Sequence, residues 1–328
     1  MWNTSNDRRA VTSTVAGSLT ASEPAPAAIG RLARYRYVWH IARGLRPHHW
    51  AKNLLLFSAA LLSGHPFDLA VLSQAAIAFV AFSLCASAAY VVNDVMDMKV
   101  DRLHPVKCNR PFAAGSLPAA WGLPLAAFTL CLGLLAGLAL PNSFMICLLL
   151  YVLVTSLYSA WLKQLFVVDV ATLASLHTLR VVAGGYATGL PISNWLLVAC
   201  MLLFFSLALG KRCSELRRLA SESKDSTMGR GYLVGDLAPL ETVGLICGLL
   251  AGLALIIFVD RGAVISLYRL QIALWLLSPV YFYWIARFWR KANQGEPLED
   301  PVVFVLRDPV SIAMGFGVFV WLQVATIV

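Results

Sequence analysis

Residues 90–115 read YVVNDVMDMKVDRLHPVKCNRPFAAG and close a long apolar run. Asn93, Asp97 and Asp101 recur every four residues, which on a helix sets them on one face about 6 Å apart per step. Asp94 lies one residue round from Asn93 and widens that face. Carboxylates this close repel one another unless a cation joins them, and nearby hydrocarbon raises the cost. Mg²⁺ resolves such a conflict, using one or two carboxylates and the oxygens of substrate phosphates. Asn93, Asp94, Asp97 and Asp101 are therefore the expected metal-holding set. The bases Lys99, Arg102, Lys107 and Arg110 follow, and Arg110-Pro111 with Gly115 predicts a loop rather than more helix. Acid for a metal and base for phosphate, at a membrane surface, predict a diphosphate site. A solvated helix end with capping acids is the plainer alternative, against which stand the repeated spacing and the cationic run.

The surrounding chain is 59% hydrophobic and 13% charged, against about 45–50% and about 25% in soluble domains. The fold class expected is an all-α polytopic membrane protein. A spanning helix needs about 20 apolar residues. Spans are expected near 51–67, 69–92, 117–139, 143–161, 166–189, 192–210, 239–259, 266–287 and 308–327, nine in all. The first is short enough to be tilted or re-entrant, and Tyr281, Phe282, Tyr283 and Trp284 suit an interfacial belt. Residues 1–30, rich in Ser, Thr, Ala and Pro, are expected to be a disordered tail. Residues 31–50 interleave Arg with aromatic and aliphatic side chains. They suit an amphipathic helix on an anionic surface, or equally a positive flank to the first span. Residues 51–328 form the membrane domain.

All of the 26 Lys and Arg except Arg180, Arg261 and Arg269 fall on one side of this topology. The positive-inside rule turns that side, with the N-terminus and the acid motif, to the cytoplasm of a cell whose inner membrane holds the protein. The net charge of +9 follows from the same bias and requires no nucleic acid. Seven cysteines form no C-x-x-C pair, so neither a disulfide framework nor a zinc site is expected.

Two further constellations carry candidate chemistry. Lys211-Arg212-x-x-Glu215 stands at the cytosolic mouth of the sixth span, facing the same vestibule as the acids; Arg230 and Tyr232 beyond it read more readily as ordinary loop. Around the turn after the fourth span lie Tyr158, Ser159, Lys163 and Asp169, with Arg180 deep in the fifth span. Eleven helical residues put Asp169 and Arg180 on one stripe about 16 Å apart, too far to touch. An intramembrane Arg needs a polar cavity, and its fork suits phosphate oxygens, with a structural ion pair as the alternative. His177 is expected to pack in the core. Residues 293–309 form a polar segment with three prolines, a connector or a lid.

These motifs resemble the UbiA superfamily of intramembrane prenyltransferases, from about residue 45 onward. The likeness rests on Asn93-Asp94-x-x-Asp97-x-x-x-Asp101 followed by Arg110-Pro111 and Gly115. Its phosphoribosyltransferase branch shares similar forms of Arg46-Pro47, Trp50-x-Lys52-Asn53, Asp101-Arg102-x-His104-Pro105-x-Lys107, Tyr158-Ser159 with Lys163 and Asp169, and Lys211-Arg212-x-x-Glu215-Leu216. The resemblance implies a nine-helix bundle with a central polar cavity open to the cytoplasm. It implies Mg²⁺-dependent transfer of phosphoribose from 5-phosphoribose 1-diphosphate to a polyprenyl phosphate. Asp97, Asp101, Lys163 and Arg180 would be catalytic. Lys52, Asn53, Arg102, Lys107, Arg110, Tyr158, Asp169, Lys211, Arg212 and Glu215 would bind substrate. One departure matters: the aromatic prenyltransferases carry a second acid-rich motif where this chain has KRCSEL. Bases there favour a further anionic group over a second metal. Prenyl transfer from a diphosphate to an aromatic acceptor is the alternative activity, and non-catalytic lipid transport a second. Lipid chain length and the oligomeric state, a homo-oligomer included, are not encoded legibly.

Overall fold

The computed structural model describes residues 37–62, 67–221, 231–261, 275–296, 298 and 301–327. The expected tail over 1–30 lies outside them. The chain divides into Met1–Trp39, of which only the last three residues are described, and His40–Val328, the subject below. Among the described residues the elements are helices: α1 Leu69–Met96, α2 Gly122–Gly137, α3 Asn142–Ala160, α4 Val168–Thr188, α5 Asn194–Ser221, α6 Leu237–Arg261, α7 Leu277–Asn293, α8 Pro301–Arg307 and α9 Pro309–Ile327.

Five helices among the described residues are long and apolar enough to cross a membrane: those of α1, α2, α3, α5 and α6. Asp169, His177 and Arg180 make α4 more polar, and residues 266–274 of the eighth expected span lie outside the described set. Asp68 caps α1, its carboxylate accepting from the Ala70 and Val71 backbone N–H groups at 2.8 and 3.4 Å. From that cap the 28 residues of α1 rise roughly 42 Å, more than the ~30 Å hydrocarbon core. Asn93 and Asp97 therefore fall at its far end. Phe128, Leu135, Leu149 and Leu153 on α2 and α3 are exposed, as a lipid-facing surface requires.

The first expected span is not one α-helix. Pro47–Phe57 is a 3-10 helix followed by a single α turn, Ser58–Leu61. Residues three apart eclipse in a 3-10 helix, so Trp50 and Asn53 face α1 together. Trp50 Nε1 donates to Ser87 Oγ and Asn53 Nδ2 to Ser83 Oγ, both at 3.0 Å. Three 3-10 residues rise about 6 Å, as do four α-helical ones, so the two pairs come into step. On its other side this segment touches α4 so closely that a Cβ on Gly184 would lie 2.2 Å from the Leu56 carbonyl oxygen. Gly184→Ala should therefore lower the melting temperature of the detergent-solubilised protein, by about 1–3 kcal/mol of strain. An unchanged melt would contradict this packing.

Among the described residues the two larger apolar cores lie beside the site, and a smaller one joins Phe258, Val259 and Leu322. Phe82, Phe144, Tyr151 and Ala183 join α1, α3 and α4; Phe204, Leu207, Phe288 and Trp289 join α5 and α7. Polar atoms inside the second core are satisfied: Trp289 Nε1 donates to Ser206 Oγ at 3.1 Å, and Ser206 donates to the Gly244 carbonyl at 2.6 Å.

Candidate active site

A cavity of about 320 Å³ opens where the leading 3-10 segment, α1, α3, α4 and α5 converge. Its lining holds eight Lys and Arg side chains, from Arg46 and Lys52 through Lys107, Arg110, Lys163 and Arg180 to Lys211 and Arg212. Asp97 is the single acid among the described lining residues, with Asn93 one turn before it. So large an excess of cation suits polyanionic ligands.

The acid motif divides into two pairs. Asn93 and Asp97 face the cavity, and Asp97 has no ion-pair partner among the described residues. Asp94 and Asp101 are buried and turned onto arginines. Asp94 pairs with Arg46 and, at 3.2 Å, with Arg110; Arg110 also meets Asp101 at 2.5 Å. The four-residue rhythm fails because α1 ends at Asp97, where φ is −85° and ψ 0°. A separate turn, Met98–Asp101, then carries Asp101 off the line. Of the four groups expected to face a metal, Asn93 and Asp97 line the cavity, while Asp94 and Asp101 are instead turned onto arginines. Arg46 itself sits at φ 52°, a conformation costly for a residue with a Cβ. Its guanidinium lies 5.4 Å from the Tyr90 ring centroid.

The second constellation is built around Asp169, fully buried and outside the cavity lining. Arg212 contacts it through Nε and Nη2, both at 2.9 Å, and reaches Glu215 through Nη1 at 2.6 Å. Tyr232 donates its hydroxyl proton to the other Asp169 oxygen and accepts the Val167 N–H at 3.1 Å. Burial first, then the bond to Asp169, push the Tyr232 hydroxyl well above its usual titration range. It stays a proton donor at physiological pH. Val167, at φ 62°, makes the sharp turn that starts α4 and delivers Asp169 to this junction.

Arg180 lines the cavity and is held from three sides. It donates to Asn53 Oδ1 at 2.8 Å, the Leu176 carbonyl at 2.6 Å and the Tyr151 hydroxyl at 3.2 Å. Asn53 is therefore a buried bracket between α1 and α4 rather than a lining group. Lys52, Lys107, Tyr158, Lys163 and Lys211 do line the cavity. Arg102 is exposed outside it, its Nε on the Ala113 carbonyl at 3.2 Å, and Glu215 reaches it only through Arg212. His177 stacks on Phe204 at 4.8 Å, as core packing predicts, yet its ring also borders the cavity. Sequence reasoning missed Tyr151 and Thr155, and read Tyr232 as ordinary loop. Tyr151, Thr155 and Tyr158 follow one another at spacings of four and three residues on one face of α3, a polar stripe that was there to be found. Nothing local marked Tyr232 as more than loop, since its partner is 63 residues away.

Residues 54–316 match the UbiA prenyltransferase family. The chain belongs to that family. It is accordingly an integral membrane protein, with the acid motif and the KRCSEL motif meeting at one UbiA cavity. Among relatives, it is 34% identical over 272 residues to the uncharacterised protein y4nM of Sinorhizobium fredii, covering 83% of this chain and 53% of that one. It is 38% identical over 182 residues to the decaprenyl-phosphate phosphoribosyltransferase of Mycobacterium tuberculosis, covering 54% of this chain and 60% of that enzyme. The matches thus span little more than half of these two relatives. Among solved structures, a UbiA homologue from Archaeoglobus fulgidus bound to GPP and Mg²⁺ superposes with a TM-score of 0.66 at 16% identity, covering 88% of this chain and all of that one. That likeness establishes the fold.

The residues of this UbiA-family cavity fit a magnesium ion. Among the described residues no three His, Cys, Asp or Glu side chains converge on one point. One carboxylate and one amide, both hard oxygen donors, nevertheless face the cavity together. Mg²⁺ commonly takes only one or two protein carboxylates and completes its shell with water and phosphate oxygens.

Proposed function

We propose that the protein transfers 5-phosphoribose from 5-phosphoribose 1-diphosphate to a polyprenyl phosphate, releasing diphosphate. The carrying observation is the charge of the described cavity lining, eight Lys and Arg against one acid, an excess that persists after Arg46, Arg110 and Arg212 are set against the carboxylates behind them. Each phosphate monoester brings about −1.5 to −2 charges at pH 7. Sugar donor and lipid acceptor together present two monoesters and a diphosphate, whereas prenyl transfer to an aromatic acceptor presents one diphosphate. The mycobacterial relative's name supports the same reading.

Asn93 and Asp97 would hold Mg²⁺, which when bound supplies Lewis-acid stabilisation of the departing diphosphate. The C1–oxygen bond to diphosphate breaks with its electron pair leaving on the diphosphate. A lipid phosphate oxygen forms the new bond to C1, which carries oxocarbenium character in between. That oxygen is anionic already, so no strong general base is required. Lys163, Arg180, Lys211 and Arg212 hold the two anions against their mutual repulsion. Three groups hold Arg180 without using all five of its N–H donors, so it can also fork onto a phosphate. Asp94 and Asp101 keep Arg46 and Arg110 aimed at the same space. Nine crossings of a plasma membrane, with the N-terminus and cavity on the cytoplasmic side, would give soluble donor and membrane acceptor access together.

The test uses purified protein in lipid nanodiscs, Mg²⁺, labelled 5-phosphoribose 1-diphosphate and polyprenyl phosphate. Label should enter the lipid phase and diphosphate appear in equal amount. No transfer, with consumption of a polyprenyl diphosphate in the presence of an aromatic acid, would overturn the reading for ordinary prenyl transfer.

A further inference from the structure

The α3 wall of the active-site cavity carries hydroxyl groups that the transfer chemistry above leaves unused. Thr155 and Ser159 both line the cavity and stand one helical turn apart on the same face. A hydroxyl inside a helix often folds back onto the carbonyl four residues before it. Thr129, Thr172, Thr178 and Thr188 all do so, at 2.7–3.0 Å. So does Ser156, exposed on α3 outside the cavity lining, which donates to the Val152 carbonyl at 2.8 Å. Thr155 does not: its Oγ1 is shielded from water and has no hydrogen-bond partner among the described residues. Ser159, half-buried, makes no hydrogen bond among them either. The Tyr151 hydroxyl, one turn before, neighbours Thr155 but is engaged by Arg180 at 3.2 Å. We infer that Thr155 and Ser159 recognise the ring hydroxyls of the phosphoribosyl donor.

The assignment rests on the phosphoribosyl-transfer reading and adds the part of the donor that the cations do not read. Lys and Arg offer donors without acceptors, which suits phosphate oxygens. A sugar hydroxyl both donates and accepts, and so does the hydroxyl of Ser or Thr. Side chains four apart on a helix have Cβ atoms about 5–6 Å apart. Two hydroxyls so spaced, each making a bond of about 2.7–2.8 Å, can close on the vicinal oxygens at C2 and C3 of one ribose. Thr155 needs only a turn about its Cα–Cβ bond to present its oxygen to the cavity, and it breaks no hydrogen bond by turning. An unsatisfied, shielded hydroxyl is costly, so a ligand that satisfies it removes a standing cost. A prenyl chain carries no hydroxyl and offers no such relief, which makes this wall a filter between sugar and prenyl diphosphates.

The experiment measures binding to the purified protein in nanodiscs, without Mg²⁺ or acceptor. The probes are ribose 5-phosphate and tetrahydrofurfuryl phosphate, which keeps the ring and the phosphate but lacks the ring hydroxyls. Wild type should prefer ribose 5-phosphate by about tenfold or more, since more than one hydrogen bond is at stake. Thr155→Val, which keeps the shape, and Ser159→Ala should each weaken ribose 5-phosphate about five- to tenfold, the loss of one net hydrogen bond. Tetrahydrofurfuryl phosphate should bind both variants as it binds wild type. Thr155→Val should also melt at or above wild type, because an apolar isostere removes an unsatisfied donor. Equal weakening of both probes, or a lowered Thr155→Val melt, would mean that these hydroxyls only support the wall, through Tyr151 for example, and would overturn the proposal. So would unchanged ribose 5-phosphate binding in either variant, or a wild type that does not distinguish the probes. A wild type that transfers no phosphoribose yet shows the selective losses would strike the reaction and keep the sugar site. Transfer by wild type, with ribose 5-phosphate binding unaltered in the variants, would do the reverse.

Discussion

Asp97→Ala should abolish turnover, lowering kcat by about a thousandfold or more, while the purified protein keeps its wild-type melting profile. Asp97 is the one acid among the described residues that line the cavity, its neighbours Asp94 and Asp101 being occupied by Arg46 and Arg110. Removing it deletes the charged member of the proposed ion-holding pair. Several kcal/mol of transition-state stabilisation ride on such an ion, and about 4 kcal/mol is a factor of a thousand. The fold should survive, since Asp97 supports no ion pair among the described residues. Asp97→Asn should keep residual activity that rises with Mg²⁺ concentration beyond the range that saturates wild type. Full activity in Asp97→Ala would end the metal assignment. By contrast, Asp94→Ala should cost stability first, because it strands a partly buried Arg46.

Asp169→Ala should cost both stability and rate. The residue is fully buried and compensates Arg212, itself almost entirely buried. Removing one partner of such a pair typically costs about 3–5 kcal/mol, since a charge is left in low dielectric. Glu215 remains on Arg212 and moderates the loss, so about 3 kcal/mol in a detergent melt is expected. On the proposed reading Asp169 would act as a positioning residue, setting the angle at which Arg212 enters the cavity. The kinetic signature should be a rise in KM for the sugar donor together with about a hundredfold fall in kcat. Tyr232→Phe removes only the hydroxyl that holds Asp169. It should cost about 1–1.5 kcal/mol and about tenfold in kcat/KM. A purely architectural role would lower the melt of both variants and leave the KM of the folded fraction where it was.

Much of the site was legible along the chain because it is written at helical spacing. Asn93 and Asp97 repeat at four residues within α1 and do share the cavity. Asp169 and Arg180 were expected to share a stripe without touching, and each finds a partner elsewhere: Arg212 for the first, Asn53 and Tyr151 for the second. What local reading could not supply was the competition for the acids. Arg46 stands 48 residues before Asp94, and it arrives because Trp50 and Asn53 dock a 3-10 turn onto Ser87 and Ser83. An i,i+4 pattern reports that carboxylates line one helical face. It carries no information about which distant cation will reach them.

Hydrophobic length and charge asymmetry are properties of contiguous residues, which is why the amino-acid sequence by itself determined an all-helical membrane protein with an acid motif at the end of a long apolar helix. That Asn93 and Asp97 line the cavity while Asp94 and Asp101 turn onto arginines was decided by the tertiary structure alone. It depends on segments distant in sequence closing together, where the low dielectric between them favours pairing each of these buried carboxylates with a guanidinium.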